Sequence, residues 1–374
     1  MLTRLPSSRL RSDSGGPERP PIWGRWAESP AVSLACVLAW ALLLAPSGCG
    51  DPRVAHELRL AGEALGTVWS VELVLPEAPA PEKAAEIRGR VDATLDRVDR
   101  GMSTWREDAE LARFNRQADL TSFSFSPETR QVIAAALELA RETGGAFDPT
   151  VAPLVALWGF GAQAADAPPT VAELEEARRR VGWRQLEWSE GGRLARQVAG
   201  VQLDLSAIAK GYAVDALVAE LARERPIGAL VEVGGEVRAL GAKPGGVPWR
   251  VGIDDPDAPG SRLSAVVLLT GGALATSGDY RRVRVIEGKR RTHVVDPRSG
   301  RPVEQKVASA SVIAPTCMEA DAVATALMVL GPEEGLAWVE DRPWLEALLM
   351  VREGERVIAK RASSGWDRWL APEQ

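Results

Sequence analysis

Apolar and polar positions alternate with two different periods after Gly66, which predicts a mixture of strands and helices. Period-two alternation predicts strands in TVWSVELVL, around 186–205, in VEVGGEVRALG, PWRVGID and SAVVLLTGGALATS, in a hairpin over RRVRVIEGKRRTHVVD, and near 345–360. Helical spacing predicts helices over 82–100, 127–142, 170–181, 206–224 and 317–330. Strands and helices follow no regular βαβ order, so we predict an α+β fold of mixed sheets with packed helices.

The first residues differ in composition from the rest and predict an export segment. The stretch from Ala31 to Ala45 carries no charge and is shorter than the ~20 residues that a spanning helix needs. PSGCGD follows and resembles a lipoprotein cleavage box around Cys49, although Pro46 stands where leucine is usual. An uncleaved anchor and plain secretion are the alternatives to a lipid anchor at Cys49. We expect a signal peptide over 1–48, a linker over 49–64 and one catalytic body over 65–371.

Composition narrows the classes of protein. Of the 374 residues, 45% are apolar and 26% charged, as in globular proteins. The net charge of −6 argues against a nucleic-acid binder that neutralises phosphates. Apart from Cys36 and Cys49 near the N-terminus, the only cysteine is Cys317, so we expect neither a disulfide framework nor a cysteine zinc site. Only six of the 45 basic residues are lysines, which gives weight to a lysine in an unusual position.

The first candidate for chemistry is LDLSAIAKGYAVDALVAEL. An apolar strand from Val201 to Leu205 is predicted to lead into a helix with Ser206 as its N-cap. Lys210 and Gly211 then fall in the first turn, where a cation opposes the helix dipole and glycine costs about 1 kcal/mol relative to alanine. Both choices make sense if this turn faces a phosphate. A solvent-facing lysine and a close helix contact at the glycine are the alternative.

The second candidate is PTCMEADAVATALMVLG. Thr316 and Glu319 have capping-box spacing, which favours a capping role for Glu319. Asp321 has no lysine or arginine three or four positions away, and a carboxylate on a packed helix is costly unless a cation meets it. Asp321 and Thr325 share one helix face, and carboxylate and hydroxyl oxygens suit Mg²⁺. An ordinary aspartate paired with an arginine from elsewhere is the alternative.

The third candidate is the loop TGGAFDPTVAPLVALWGFG. Gly144 and Gly145 are predicted to end the preceding helix, and Pro149 and Pro153 to prevent another regular helix. Asp148 would then lie on a rigid loop flanked by aromatic residues. Such a loop suits the binding of a ring system, although these aromatics fit a core equally well.

Two further segments give weaker signals. VEVGGE places Gly234 and Gly235 inside a predicted strand, which suggests that backbone approaches a ligand there, and ATSGDYRR places a turn before Asp279. THVVDPRSGRP places His293 on a strand ahead of a turn. A lone strand histidine is usually structural, and it becomes a general-base candidate only beside a bound ligand.

Taken together, these segments resemble the family of FAD:protein FMN transferases, the ApbE-like flavin transferases. The matching pieces are GTVWSVELV, MSTWREDAELARFN, GGAFDPTVAPLVALWGFG, LDLSAIAKGYAVD, LVEVGGEVRALG, PWRVGID, ATSGDYR, THVVDPRSGRPV and CMEADAVATALMVLG. They occur in the order found in the family and cover nearly everything from Gly66 to about Gly331. A single fragment is weak, but nine in order make the resemblance specific.

The resemblance implies an ApbE-like fold and an enzyme that uses Mg²⁺, or alternatively Mn²⁺, to cut FAD at its diphosphate. FMN would be esterified to a threonine of an acceptor protein, a redox-pump or respiratory subunit, with release of AMP. Carried over by motif, the FAD contacts would be Leu65, Trp105, Ala146, Phe147, Asp148, Asp204, Lys210 and Val295. The metal ligands would be the backbone carbonyl of Ala207, Asp321 and Thr325. His293 aligns with a histidine thought to serve catalysis, and His293 or Asp296 would accept the threonine proton.

The chain departs from the family pattern in two places. Leu65 replaces the usual methionine, and Ala324 stands where some relatives have an aspartate, so the metal site has one fewer carboxylate. The rival functions are a metal-dependent FAD pyrophosphatase, in which water replaces the threonine, and a non-catalytic flavin-binding lipoprotein. The resemblance also implies a lipid-anchored protein on the periplasmic side of the bacterial inner membrane.

Overall fold

An eight-stranded antiparallel sheet is the centre of the fold in the computed structural model. The structure describes residues 55–160, 167–189, 191–280, 283–286, 289–303, 307–353 and 356–372. The α-helices in these ranges are α1 (Pro81–Met102), α2 (Glu110–Arg116), α3 (Pro127–Glu142), α4 (Ala152–Leu157), α5 (Val171–Arg178), α6 (Ala209–Leu221) and α7 (Cys317–Glu340).

The strands alternate with these helices without a regular pattern. They are β1 (His56–Ala64), β2 (Thr67–Leu75), β3 (Leu186–Trp188), β4 (Leu194–Arg196), β5 (Gly228–Val233), β6 (Glu236–Leu240), β7 (Trp249–Asp254), β8 (Leu263–Leu269), β9 (Gly272–Gly278), β10 (Val283–Ile286), β11 (Lys289–Thr292), β12 (Val295–Asp296), β13 (Arg301–Pro302), β14 (Val307–Ala314), β15 (Glu346–Glu353) and β16 (Arg356–Ala362). The central sheet has the order β1-β2-β5-β6-β9-β14-β15-β16. The predicted α+β class is confirmed.

The sheet is covered on both faces. Helix α7 packs on β9 and β14, and α6 packs on β5, β6 and α7. A separate apolar cluster joins Trp249 and Val267 of the β7–β8 hairpin to Leu274, Ile313 and Met350 of the sheet, and it contains no residue of α6 or α7. The two helices and the hairpin therefore lie on opposite faces, and burial of both faces stabilises the sheet.

Several predicted helix boundaries are confirmed. Helix α3 begins at Pro127, and the Ser126 side chain accepts a hydrogen bond from the Thr129 N–H, as an N-cap does. Helix α5 begins after Thr170, which forms a complete capping box with Glu173. Both caps are formed by residues close in sequence, but only the Ser126 cap was predicted, and the helix predicted over 170–181 ends at Arg178.

Three segments differ from the sequence-based expectation. Residues His56–Ala64, placed in the linker, form β1, because each residue pairs with β2. The segment from Val201 to Leu205 is not a strand, because the N–H and C=O of Leu203 bond to the Asn115 side chain rather than to a neighbouring strand. Helix α6 begins at Ala209 with Ile208 at its N-cap, so Ser206 does not cap it.

Two turns also differ from expectation. Gly234 and Gly235 do not lie inside a strand but form the turn between β5 and β6, with φ values of 65° and 99°. Pro153 does not exclude a helix, since it lies in the first turn of α4, where a missing N–H costs nothing.

Among the described helices, α7 is long and apolar enough to cross a membrane by length and composition. Much of it is buried in the protein, and it bends at Gly331, which has φ +81° and precedes Pro332. We therefore assign α7 as the central core helix of the fold. Its first half carries the candidate metal ligands.

Candidate active site

Helices α6 and α7 cap each other's N-termini with carboxylates. The backbone N–H of Gly211 in α6 donates to Oδ2 of Asp321 in α7 at 3.0 Å. In return, the N–H groups of Cys317 and Met318 in α7 donate to Asp215 of α6, both at 2.9 Å. The N-terminus of a helix carries partial positive charge, so both carboxylates are stabilised there. This exchange fixes Asp321 beside the first turn of α6.

Gly211 allows the two helices to approach this closely. A Cβ at this position would collide with the Cys317 carbonyl oxygen and lie 2.8 Å from the Cβ of Asp321. The alternative interpretation of the glycine as a close helix contact is therefore correct. The N–H of Gly211 already bonds to Asp321, so the proposal that it faces a phosphate lacks support.

The ammonium of Lys210 lies between two buried carboxylates. Its Nζ is 2.7 Å from Oε1 of Glu236 on β6 and 3.7 Å from Oδ1 of Asp321. Glu236 is 2% exposed and Asp321 is 3% exposed, so both charges depend on a nearby cation. The predicted convergence of Lys210 and Asp321 is thus present in the structure, and the cation that meets Asp321 is a lysine.

The same face of β6 carries a second ion pair towards α6. Nη1 of Arg238 donates to Oδ1 of Asp215 at 2.6 Å. Residues two apart on a strand share one face, so Glu236 and Arg238 point in the same direction. Burial raises the pKa of the Asp215 carboxyl, and Arg238 and the N–H groups of α7 oppose this rise. These pairs hold the start of both helices against the sheet.

Thr325 lies one turn beyond Asp321 on the same face of α7. Its Oγ1 is 3.0 Å from Oγ of Ser277 on β9. The next position on this face, Met328, lines an open cleft. The hydroxyl pair therefore lies between the charged cluster and the cleft.

The cleft has a volume of about 370 Å³, within the usual size of small-molecule sites. Besides Met328, its lining includes Trp158, Arg291, Asp296, Arg301 and Gly331. The two arginines give the wall positive charge, and guanidinium groups bind phosphate oxygens well. Of the predicted site residues only Asp296 lines this cleft, and Asp321 lies two helical turns before Met328 on α7.

The two candidates for proton transfer lie on the segment that borders this cleft. His293 does not lie on a strand as predicted but in the bend between β11 and β12, because β11 ends at Thr292. It is half-buried, with its ring edge-on to Phe160 at 6.5 Å between centroids. Asp296 accepts hydrogen bonds from the backbone N–H and the Nε of Arg298 at 2.9 and 3.0 Å.

The loop of Asp148 is tied to the same region. Oδ1 of Asp148 accepts from the N–H and hydroxyl of Thr150 at 2.8 and 2.6 Å, and Oδ2 accepts from the Trp183 N–H at 2.9 Å. Burial raises the pKa of the Asp148 carboxyl, and these hydrogen bonds lower it. Gly145 approaches Arg298, and Trp158 donates to the Gly300 carbonyl at 2.9 Å. The structure thus gives Asp148 a role in shaping the loop.

The remaining predicted FAD contacts differ in exposure. Ala146, Phe147 and Val295 are buried, whereas the indole of Trp105 is 75% exposed. The N–H of Asp204 donates to the Pro149 carbonyl at 2.7 Å, which joins the Lys210 segment to the Asp148 loop.

Leu65 lies at the tip of the β1–β2 hairpin. Leu65 and Gly66 have φ values of 54° and 72°, and positive φ at both central residues is characteristic of a tight two-residue turn. A leucine in this conformation is unusual and strained. The next residue, Thr67, approaches Gly234, where a Cβ would also lie 3.3 Å from Cδ of Lys210. The hairpin tip therefore reaches the charged cluster.

The proposed metal ligands form a sparse set. Ala207 lies in the turn before α6, Asp321 contributes a carboxylate and Thr325 a hydroxyl. Within the described ranges, no three His, Cys, Asp or Glu side chains come together as a metal cluster. A site here would therefore combine one carboxylate with neutral oxygens. Cys49, the predicted lipid site, lies outside the described residues.

Sequence reasoning missed Glu236 and Ser277. Glu236 interrupts the apolar alternation of its segment, since the next residue on that face, Arg238, is charged as well. An acidic and a basic residue two positions apart in an otherwise apolar predicted strand indicate that both are paired in the interior. Ser277 gave no local signal, because its contact with Thr325 joins β9 to α7.

The fold and this cluster define an α+β protein with a buried site of acidic and basic side chains between two helices and the central sheet. The model of the ApbE family matches residues 65–349. The chain belongs to the ApbE family. It is 38% identical over 336 residues to the FAD:protein FMN transferase of Vibrio cholerae, covering 90% of this chain and 98% of the relative. It is 35% identical to that of Salmonella typhimurium, covering 84% and 87%.

Solved structures agree with this assignment. The flavin transferase ApbE from Vibrio cholerae matches with a TM-score of 0.76 and 36% identity, covering 84% of this chain and all of that one. The apo flavinyl transferase ApbE of Pseudomonas stutzeri matches with a TM-score of 0.75 and 35% identity, covering 84% and 97%. The expected ApbE-like fold is therefore confirmed.

Proposed function

We propose that this chain is an FAD:protein FMN transferase that moves the FMN half of FAD onto a threonine hydroxyl of an acceptor protein and releases AMP. Family membership supports the reaction class, and the relatives are named FAD:protein FMN transferases. The observation that carries the proposal for this chain is the approach of Lys210 to Asp321 at 3.7 Å, with Thr325 one turn further along α7. The acceptor would be a redox-pump or respiratory subunit.

The donor chemistry fits Mg²⁺ or Mn²⁺. Oδ2 of Asp321 is held by the Gly211 N–H, while Oδ1 is 3.7 Å from Lys210, beyond hydrogen-bond distance. Thr325 presents its hydroxyl one turn further along the same face, and the Ala207 carbonyl would complete a set of hard oxygen ligands. When bound, the ion would offset the charge that builds on the diphosphate.

Side chains of this protein would stabilise the charge on the phosphate and accept the proton of the threonine hydroxyl. Lys210 would add positive charge near the reacting phosphorus. The threonine oxygen would form a bond to the phosphorus of the FMN half, and the bond from that phosphorus to the bridging oxygen would break, so that AMP leaves with the oxygen. His293 would accept the hydroxyl proton, with Asp296 as the alternative.

A hydrolase and a flavin carrier would use the same site, so the test must distinguish the products. Purified protein would be incubated with FAD and Mg²⁺, with and without a flavin-free redox-pump subunit. A fluorescent acceptor band with the added mass of FMN less one water, and one AMP released per label, supports transfer. Rapid release of free FMN and AMP without acceptor indicates the pyrophosphatase, and intact FAD after long incubation indicates a carrier.

A further inference from the structure

Two carboxylates compete for one ammonium at the candidate site. Nζ of Lys210 is 1.0 Å closer to Glu236 than to Asp321, at 2.7 Å against 3.7 Å. The shorter contact is a charge-assisted hydrogen bond, whereas the longer one is only an electrostatic approach. Lys210 therefore favours Glu236, and Asp321 keeps an oxygen that is not hydrogen-bonded to it.

The fold keeps the Lys210 ammonium closer to Glu236 than to Asp321. Glu236 is 2% exposed and begins β6, which pairs with β5 on one side and β9 on the other, so its backbone cannot shift easily. The Lys210 side chain runs over the β5–β6 turn, where a Cβ on Gly234 would lie 3.3 Å from its Cδ. The side chain of Lys210 therefore extends from α6 towards Glu236.

Asp321 cannot bind an ammonium and a divalent cation closely at the same oxygen. The two cations repel each other strongly in a site with little water. If Glu236 lost its charge, Lys210 would be drawn to Asp321, and a divalent cation would have to displace it.

We propose that Glu236 is a positioning residue that draws the Lys210 ammonium away from Asp321 and so keeps Asp321 open to a divalent cation. This inference rests on the metal assignment of the proposed function. It gives Glu236 an indirect role, since the carboxylate acts on the metal site through Lys210.

The test is a double-mutant cycle on the FAD-free protein, with the affinity for Mn²⁺ measured by electron paramagnetic resonance. Glu236→Gln keeps the side-chain shape, and we expect it to weaken Mn²⁺ binding roughly tenfold, within the range of coupling between contacting charges. Lys210→Gln is expected to bind Mn²⁺ at least as tightly as wild type. The double variant K210Q/E236Q is expected to match K210Q, because no ammonium is left to compete.

The decisive comparison is the effect of E236Q on Mn²⁺ affinity with and without Lys210. Equal weakening by E236Q with and without Lys210 would mean that Glu236 is itself a ligand or a scaffold residue, and an unchanged affinity in E236Q would mean that it has no effect. Either result overturns the inference. Glu236→Asp keeps the charge and should weaken binding less than E236Q, and an equal loss counts against the inference. Near-UV circular dichroism checks that each variant is folded.

Two controls separate this inference from the metal assignment. Glu72→Gln breaks another lysine–glutamate pair, with Lys243 at 3.1 Å, and lies about 17 Å along β2 from Thr67, so it should leave Mn²⁺ affinity unchanged. Asp321→Asn should abolish Mn²⁺ binding at this site. If D321N binds Mn²⁺ as wild type does, the metal assignment and this inference both fail. If D321N loses Mn²⁺ but the effect of E236Q does not depend on Lys210, only this inference fails.

Discussion

Asp321 is the residue on which the proposed chemistry depends most. Asp321→Asn keeps an oxygen that can accept from the Gly211 N–H, but it removes the charge that would bind the cation. We expect FMN transfer to fall by at least about a hundredfold, the size of loss seen when charge stabilisation is removed from an active site. The rate of acceptor labelling measures this loss, and thermal unfolding checks that the fold is kept.

Chelation provides the matching control for this variant. Wild-type protein in EDTA should fall to the rate of D321N, and EDTA should not slow D321N further. A variant that labels the acceptor at the full wild-type rate in chelator would contradict the metal assignment.

Glu319 is a second buried acid on α7, with a role in stability. Burial raises its pKa to about 7, against the effect of the hydrogen bond that Trp344 donates to Oε1 at 2.9 Å. Its ordinary value is 4.5, so between about pH 4.5 and 7 the folded protein keeps a proton that the unfolded chain releases. The free energy of unfolding therefore falls as pH rises through this window, by up to about 3 kcal/mol from this residue.

Glu319→Gln removes that dependence and keeps an oxygen for Trp344. At pH 8 we expect E319Q to be more stable than wild type by about 1–3 kcal/mol, and at pH 4.5 the difference should vanish. Denaturant unfolding in EDTA at both pH values measures this. A difference that is the same at both values would show that the charge of Glu319 is not responsible.

At the scale of single residues, the sequence identified Lys210 and Asp321 as unusual but did not identify their partner Glu236. Lys210 and Asp321 were identifiable because each is unusual for its position in a helix. Glu236 was not, because its function depends on which strand lies beneath α6, and strand order is not encoded in any one segment. The capping role predicted for Glu319 is confirmed only in part, since Thr316 accepts from its N–H at 3.3 Å while its side chain accepts from Trp344.

At the scale of elements, the α6–α7 contact is the closest packing around the site. Gly211→Ala would place a methyl group against the Cys317 carbonyl, and the backbone would have to move apart. We expect a loss of at least about 2 kcal/mol in the free energy of unfolding. Gly89→Ala is the control, because Gly89 is an exposed helix residue with nothing within 4 Å of the added Cβ, and it should gain about 0.5–1 kcal/mol. Equal effects of the two substitutions would exclude a specific contact at Gly211.

Elements were predictable where their hydrogen bonds are local. Helix α3 and its cap depend on residues close in sequence, and their bounds were predicted correctly. Val201 to Leu205 has the apolar pattern of a strand because alternate residues are buried, yet its backbone bonds to Asn115, which is 88 positions from Leu203. Strand β1 was missed because its alternation between exposed and half-buried residues carries a weak apolar signal.

At the scale of the whole molecule, we propose that the mature protein is anchored by a lipid at Cys49 on the periplasmic side of the inner membrane. Cys49→Ser should move the protein from the membrane fraction to the soluble periplasmic fraction, because the acyl chains that hold it would be missing. Cys36→Ser, within the apolar stretch, should leave it in the membrane. A C49S protein that still sediments with membranes would indicate an uncleaved anchor, and a soluble wild type would indicate plain secretion.

The overall class was predictable because nine local segments keep a fixed order, and together they define one family and one fold. The order of strands in the sheet was not, since β9 pairs with β6 and with β14 across long stretches of chain. The site lies where those distant strands meet α6 and α7, so its complete composition required the structure.

We propose that Lys210 and Asp321 converge, through a bound cation, on the diphosphate of FAD. Anomalous diffraction from crystals of the protein with FAD and Mn²⁺ would locate the ion and the diphosphate together. We predict a manganese peak within bonding distance of oxygens of Asp321 and Thr325 and of an FAD phosphate. An FAD diphosphate bound elsewhere, with no manganese at Asp321, would exclude this arrangement.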